Sequence, residues 1–198
     1  MRCAVLIPCA FLAAAPPAGA CPTRSDVDGA GVAATHSIGT ETFRRLPDGR
    51  VLNVWTEGGD TWSDLLGPGG VVIAYWKGDA PFLAADEVTF RRFDEPRIAT
   101  ARPMPGLGLS STGTEGAGGG GEERIRAKLA WSETVGEVDV AGCSYTGLTG
   151  TFRLDWGPDD AVEIRLVHLR ELDLVIPLSS GNPGAPEPFG YTAFEPVE

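Results

Sequence analysis

Apolar and polar residues alternate with a period of two along most of the chain, the mark of half-buried β-strands. The alternation is cleanest in the second half. Ile125, Ala127, Leu129 and Trp131 share one face, opposite Arg124, Arg126 and Lys128. Leu148, Gly150, Phe152, Leu154 and Trp156 share the next. Val162, Ile164, Leu166 and His168 follow, and then Leu172, Leu174, Ile176 and Leu178. Gly157-Pro158-Asp159-Asp160 and Arg170-Glu171 read as the turns between them. Val138 and Val140 alternate with Glu137 and Asp139, and Gly142 allows a bend just before Cys143.

The first half gives shorter strands: Glu41 to Leu46, Arg50 to Thr56, Thr61 to Leu66, Val71 to Trp76 and Glu87 to Phe93. Pro47-Asp48-Gly49 is a turn in which Pro presets φ and Gly takes positive φ. Val71 to Trp76 is apolar throughout and reads as a strand covered on both faces. Turns about every ten residues favour hairpins over βαβ units. The prediction is one all-β domain over 21–198. It is a single antiparallel meander forming a curved sheet or open barrel, with an irregular N-terminal arm and a C-terminal tail. Three stretches lack the pattern. The arm from Cys21 to Thr40 has no sustained period, and only a short helical turn near Arg24 to Asp28 is expected there. Residues 95–121, rich in Gly and Pro, read as a flexible loop. Residues 179–198 read as a loosely packed tail.

Residues 1–20 change the picture. A basic start at Arg2, an apolar run from Cys3 to Ala15 and the small residues Ala18-Gly19-Ala20 read as a signal peptide. The run is too short to cross a bilayer permanently. Cleavage after Ala20 leaves two of the four cysteines, Cys21 and Cys143. Two readings follow. In one, they form a disulfide in an oxidising compartment, closing a loop of about 120 residues and contributing about 4–5 kcal/mol in the chain-entropy model. In the other, Cys21 is acylated and anchors a lipoprotein. Ala18 stands where a lipobox prefers Leu, so the disulfide is the expectation. Localisation is accordingly periplasmic or secreted, or else lipid-anchored to the envelope through Cys21.

The net charge of −11, with only Lys77 and Lys128 as lysines among 16 basic residues, excludes the basic footprint of a nucleic-acid binder. The arginine bias also suggests a GC-rich bacterial genome. Candidate chemistry is sparse. Of the two histidines, His36 falls in the arm and His168 on an apolar strand face, where a hydrogen-bonded core histidine is expected. No serine has a nucleophile-elbow setting. Asp26-x-Asp28-Gly29 lacks the remaining oxygen ligands of a calcium loop, and two histidines with two distant cysteines give no zinc spacing. No catalytic residue, metal ligand or cofactor is assigned. The five tryptophans are the opening: Trp55, Trp76, Trp131 and Trp156 would form a ligand pocket if they lined the concave side of a bent sheet.

Cys21-Pro22-Thr23 after the leader and Cys143-Ser144-Tyr145 on a later strand resemble the pattern of a family of exported alphaproteobacterial proteins with no assigned activity. The resemblance implies no role for any residue. At the level of architecture, an unclosed meander from a bacterial envelope also looks like the periplasmic lipoprotein carriers, an analogy that licenses no function. The functional expectation is a non-enzymatic envelope protein binding an apolar or amphiphilic ligand in a sheet-lined cleft. The alternatives are a structural or interaction lipoprotein without such a site, and a hydrolase using acidic residues. Partners are unassigned beyond an apolar ligand or another envelope protein.

Overall fold

The computed structural model describes residues 20–85, 87–118 and 120–198. The expected signal peptide lies, but for Ala20, outside the described residues. The strands are β1 (Val32–His36), β2 (Gly39–Arg45), β3 (Val51–Glu57), β4 (Asp60–Leu66), β5 (Val72–Lys77), β6 (Thr89–Phe93) and β7 (Gly108–Ala117). After these come β8 (Glu123–Val140), β9 (Cys143–Asp155), β10 (Ala161–Leu169), β11 (Leu174–Gly181), β12 (Glu187–Pro188) and β13 (Ala193–Pro196). All thirteen form one antiparallel sheet in which each strand pairs with its chain neighbour from β1 to β12. β13 returns to the free side of β1. The fold is the expected open all-β meander. Two short helices, α1 (Arg24–Asp28) and α2 (Arg97–Thr100), complete it.

The sheet is not a closed ladder, yet its two edges are bridged. Phe189 N–H donates to Leu178 O on the β11 side, while Phe189 O accepts from Ser37 N–H just after β1. The largest apolar cluster joins Val32, Ala34 and Phe43 with Val167, Leu169 and Ile176, so the first strands lie against the last. The β10–β11 hairpin is therefore buried on both faces. Leu166 and Val175 belong to a second cluster, with Ile98, Leu129 and Phe152. The sequence placed Leu174 and Ile176 on one dry face with Leu166. The register instead pairs Val167 with Ile176 and Leu169 with Leu174, and both faces are covered.

Three further expectations need correction. The arm contains β1 besides the anticipated helical turn, in which the Asp26 carboxylate accepts from the backbone N–H and hydroxyl of Thr23. Within the expected flexible loop 95–121, residues 95–117 instead hold α2 and the ten-residue β7, paired with β8 from Gly108–Ala130 to Glu115–Glu123. Its residues are mostly Gly, Ser and Thr, so no apolar signature marks it. Gly113 is required there because a Cβ would stand 2.1 Å from Arg92 O. The tail 179–198 is not loosely packed either. It forms β12 and β13, and Phe194 is buried against Tyr145 in the main cluster.

Cys143 lies buried at the start of β9, and its sulfur is bonded to that of Cys21 at 2.06 Å. Tyr145 adds a second tie, its hydroxyl donating to Pro22 O at 3.1 Å. Along β9 the buried face changes. Cys143 and Tyr145 face the arm, and from Leu148 onward the even positions are buried instead, where β8 carries an irregularity between Trp131 and Val135.

Candidate functional site

The four candidate tryptophans do not meet. Trp76 is 2% exposed and packs with Leu65, Ala74, Phe82 and Phe90. There a turn at Phe82–Ala84 covers the sheet, and the indole N–H donates to Ala80 O at 2.9 Å. Trp131 is 4% exposed in the Leu129–Phe152 cluster and borders an open hollow of about 510 Å³. Trp156 lies at the end of β9 under the Arg91 guanidinium, 5.8 Å from its ring. Of the four, only Trp55 lines the partly enclosed cleft described next. The physical reason is parity and distance. Trp76 projects from the opposite face of the sheet to Trp55, and the other two stand on strands several ladders away.

The sheet does build a cleft of about 290 Å³, and its polar side is set by three consecutive hairpins. Register fixes who shares a face: His36 stands opposite Gly39, Glu41 opposite Trp55, Asn53 opposite Phe43 and Asp64, and Trp55 opposite Trp62. His36, Glu41, Asn53, Trp55 and Asp64 therefore project to one side. The turns that hold this register are tight. Gly39 admits no side chain, since a Cβ would sit 1.9 Å from Thr56 O. Gly49 takes φ 86° in the turn that closes with Leu46 N–H to Arg50 O. The opposite wall is apolar, with Ile164, Leu166, Val175, Pro177 and Phe189 from the last strands.

Inside the cleft the polar groups are unevenly satisfied. Glu41 is 5% exposed. It accepts from Asn53 Nδ2 at 3.1 Å, and the Tyr191 hydroxyl is shared between Glu41 Oε1 at 3.2 Å and Pro177 O at 2.7 Å. Burial, with the charge and hydrogen bond of Glu41, pushes the Tyr191 phenol well above its usual range, so it stays a donor. The His36 side chain is only 6% exposed. It stacks on Phe189 at 5.0 Å and meets the edge of Tyr191 at 5.6 Å. Neither of its ring nitrogens makes a hydrogen bond. Nε2 is 3.0 Å from Glu41 Oε1, a contact close enough for an ion pair but out of line for a hydrogen bond.

Asp64 accepts from Trp55 Nε1 at 3.1 Å. Desolvation, opposed by the Arg91 charge and the Trp55 N–H and reinforced by the Glu41 charge, pushes its carboxyl up to about 7. Arg91 itself is held elsewhere. It is paired with Glu115, which also accepts from the Tyr75 hydroxyl at 3.0 Å, and it lies over the Tyr75 ring at 5.1 Å.

Sequence reasoning missed His36, Glu41, Asn53, Asp64 and Tyr191. A faint signal existed. Val32, Ala34 and His36 alternate, and Glu41 shares a face with Phe43, so a charge sits in a buried row. His168 is placed as expected, 3.2 Å from Asp173 Oδ1. Among the described residues no three His, Cys, Asp or Glu side chains are grouped to hold a metal ion. No helix of the described residues is long and apolar enough to cross a membrane. No protein-family model, curated protein or solved structure matches this chain.

Proposed function

We propose that this chain is an exported envelope protein that binds an amphiphilic small molecule in the cleft between His36, Trp55 and Phe189, and that it does so without chemistry. One observation carries the reading. A mostly apolar, partly enclosed cleft has at one end a buried histidine with no hydrogen-bond partner, and a ligand's polar end would supply one. The leader-like residues 1–20 and the Cys21–Cys143 bond support an oxidising compartment. With Cys21 so bonded, an acylated Cys21 would belong to a chain lacking this bond.

Titration with N-phenyl-1-naphthylamine tests the reading. The dye brightens with a stoichiometry of one per chain, and Ile164→Trp, which fills the cleft, abolishes the response. A response that survives Ile164→Trp overturns the assignment of the cleft.

A second reading is favoured by one specific feature: Asp64, poised near 7, and Glu41 converge on the same cleft. Such a pair suits acid–base hydrolysis. Turnover of p-nitrophenyl esters or glycosides that disappears in Asp64→Asn would replace the binding reading with this one.

A further inference from the structure

The cleft's polar side has one sign. Glu41, Glu57 and Asp64 line it, and among the described lining residues there is no lysine or arginine. Arg91, whose charge acts on Asp64, is engaged by Glu115 and stacked over Tyr75. Acidic residues alone would say little, since they are common in this chain. The buried imidazole of His36, whose ring nitrogens make no hydrogen bond although Nε2 lies beside Glu41, is the independent observation. A buried polar group without a hydrogen bond is costly, and a ligand donor reaching His36 or Glu41 from the cleft would relieve it.

A fatty-acid carboxylate entering this cleft would meet carboxylates and an already committed amide, Asn53, with no cation to receive it. A head group carrying N–H donors and positive charge would meet acceptors on three sides. The Trp55 ring, which lies 6.2 Å from Trp62 in a stacked pair, adds a π-face to the same wall. The cavity of about 290 Å³ corresponds to roughly ten water volumes, enough for a head group and a short chain.

We infer that the cleft selects amphiphiles with a cationic amine head over those with an anionic one, the head lying among His36, Glu41 and Asp64 and the chain against Ile164, Leu166 and Phe189. The inference rests on the binding function proposed above.

The test is isothermal titration of the disulfide-bonded chain, at pH 8 and below micellar concentrations, with three ten-carbon probes: decylamine, decanol and decanoate. Decylamine binds once per chain, at least about tenfold more tightly than decanoate, with decanol between them. Asp64→Asn reduces the preference for the amine several-fold, and a near-ultraviolet circular dichroism spectrum matching the parent chain's shows that the variant is folded. His36→Phe keeps the stack on Phe189, removes both ring nitrogens and weakens the amine several-fold. If decanoate binds as well as decylamine, the head-group inference falls while the binding cleft stands. If none of the three binds, the binding function falls and the inference with it. If decylamine binds Ile164→Trp equally, or several molecules bind per chain, its attraction is the general pull of an acidic surface, and the inference is overturned.

Discussion

Two sheltered aspartates, Asp64 in the cleft and Asp173 in the β10–β11 turn, are pushed in opposite directions. Desolvation is the largest influence on both and raises both. At Asp173 it is more than offset, and the carboxyl is held below its usual value. Arg102 reaches Asp173 Oδ2 at 2.8 Å, Arg24 stands 3.5 Å away, and His168 approaches Oδ1 at 3.2 Å. Arg45 donates to the backbone oxygens of Leu172 and Asp173 at 2.9 and 2.7 Å. Asp64 has the charge of Arg91 and the indole N–H of Trp55, and that is too little. Asp64 lies deeper than Asp173 and has fewer cationic donors, and both differences push its carboxyl up. The turn around Asp173 is a finished structural joint, because its donors and acceptors match. The cleft around Asp64 and His36 is left with acceptors to spare, which is the ground of the binding proposed for it.

The sharpest way to break this contrast is to cut the disulfide. Arg24 on α1, and Asp28, which pairs with Arg45 at 2.7 Å, both ride on the arm that Cys21 ties to β9. Cys21→Ser with Cys143→Ser should lower stability by about 4 kcal/mol in denaturant unfolding. Carboxyl NMR titration should then show Asp173 moving up toward 3.8 while Asp64 stays at about 7. If both move together, the two sites are not independent.

Asp64→Asn should come next in size, with the opposite sign. The folded chain keeps the Asp64 proton up to about pH 7, whereas the unfolded chain releases it near 3.8. The folded state therefore binds more protons across that window, and stability falls as pH rises through it. Asparagine removes the penalty. The variant should gain up to about 4 kcal/mol at pH 8 and nothing at pH 3, measured by urea unfolding at both pH values. An equal change at both would show that the effect is not the charge.

Asp173→Asn should lose about 2 kcal/mol at pH 7, because Arg102, Arg24 and His168 are left without a counter-charge. Asparagine tolerates the φ of 49° at this position, so the backbone is not the cause. The stability that a depressed carboxyl contributes is present above 3.8 and lost as pH falls through its folded value, so the difference from the parent chain should shrink in acid. Trp55→Phe should have the smallest effect. It removes the one hydrogen-bond donor to Asp64, moves that carboxyl further up, and costs about 1 kcal/mol in thermal unfolding.

The amphipathic strands β8 to β10 were legible because their side chains alternate strongly, and the Pro47–Gly49 turn because its chemistry is local. β7 was not, since Leu109 is followed by Ser, Thr and Gly, and the strand exists because β6 and β8 offer ladders on both sides. The tail was hidden for the same reason: Phe189, Tyr191 and Phe194 are scattered among Pro and Gly, and partners such as His36 and Glu41 lie some 150 residues earlier. The pairing of Cys21 with Cys143 followed from a count of cysteines. The cleft did not follow from any count. It depends on which face of β1 to β4 each polar residue takes, and one residue of slip would turn Glu41, Asn53 and Asp64 to the other face. The tryptophans misled because size and rarity say nothing about parity.

The bridge made by Phe189 and β13 has a consequence for how the chain reaches this state. The pairing of Val32 with Pro196 spans most of the sequence, whereas from β2 to β11 every strand pairs with its neighbours along the chain. Contacts of such long range form slowly, because loop closure must precede them. Until they form, β1 exposes a row of bare N–H and C=O groups, a ready template for a strand from another molecule. The residues that look least structured in the sequence are thus the ones that protect a newly folded molecule from its neighbours. Deleting Ala193–Pro196 would be expected to show first as aggregation during refolding, before any loss of the central sheet.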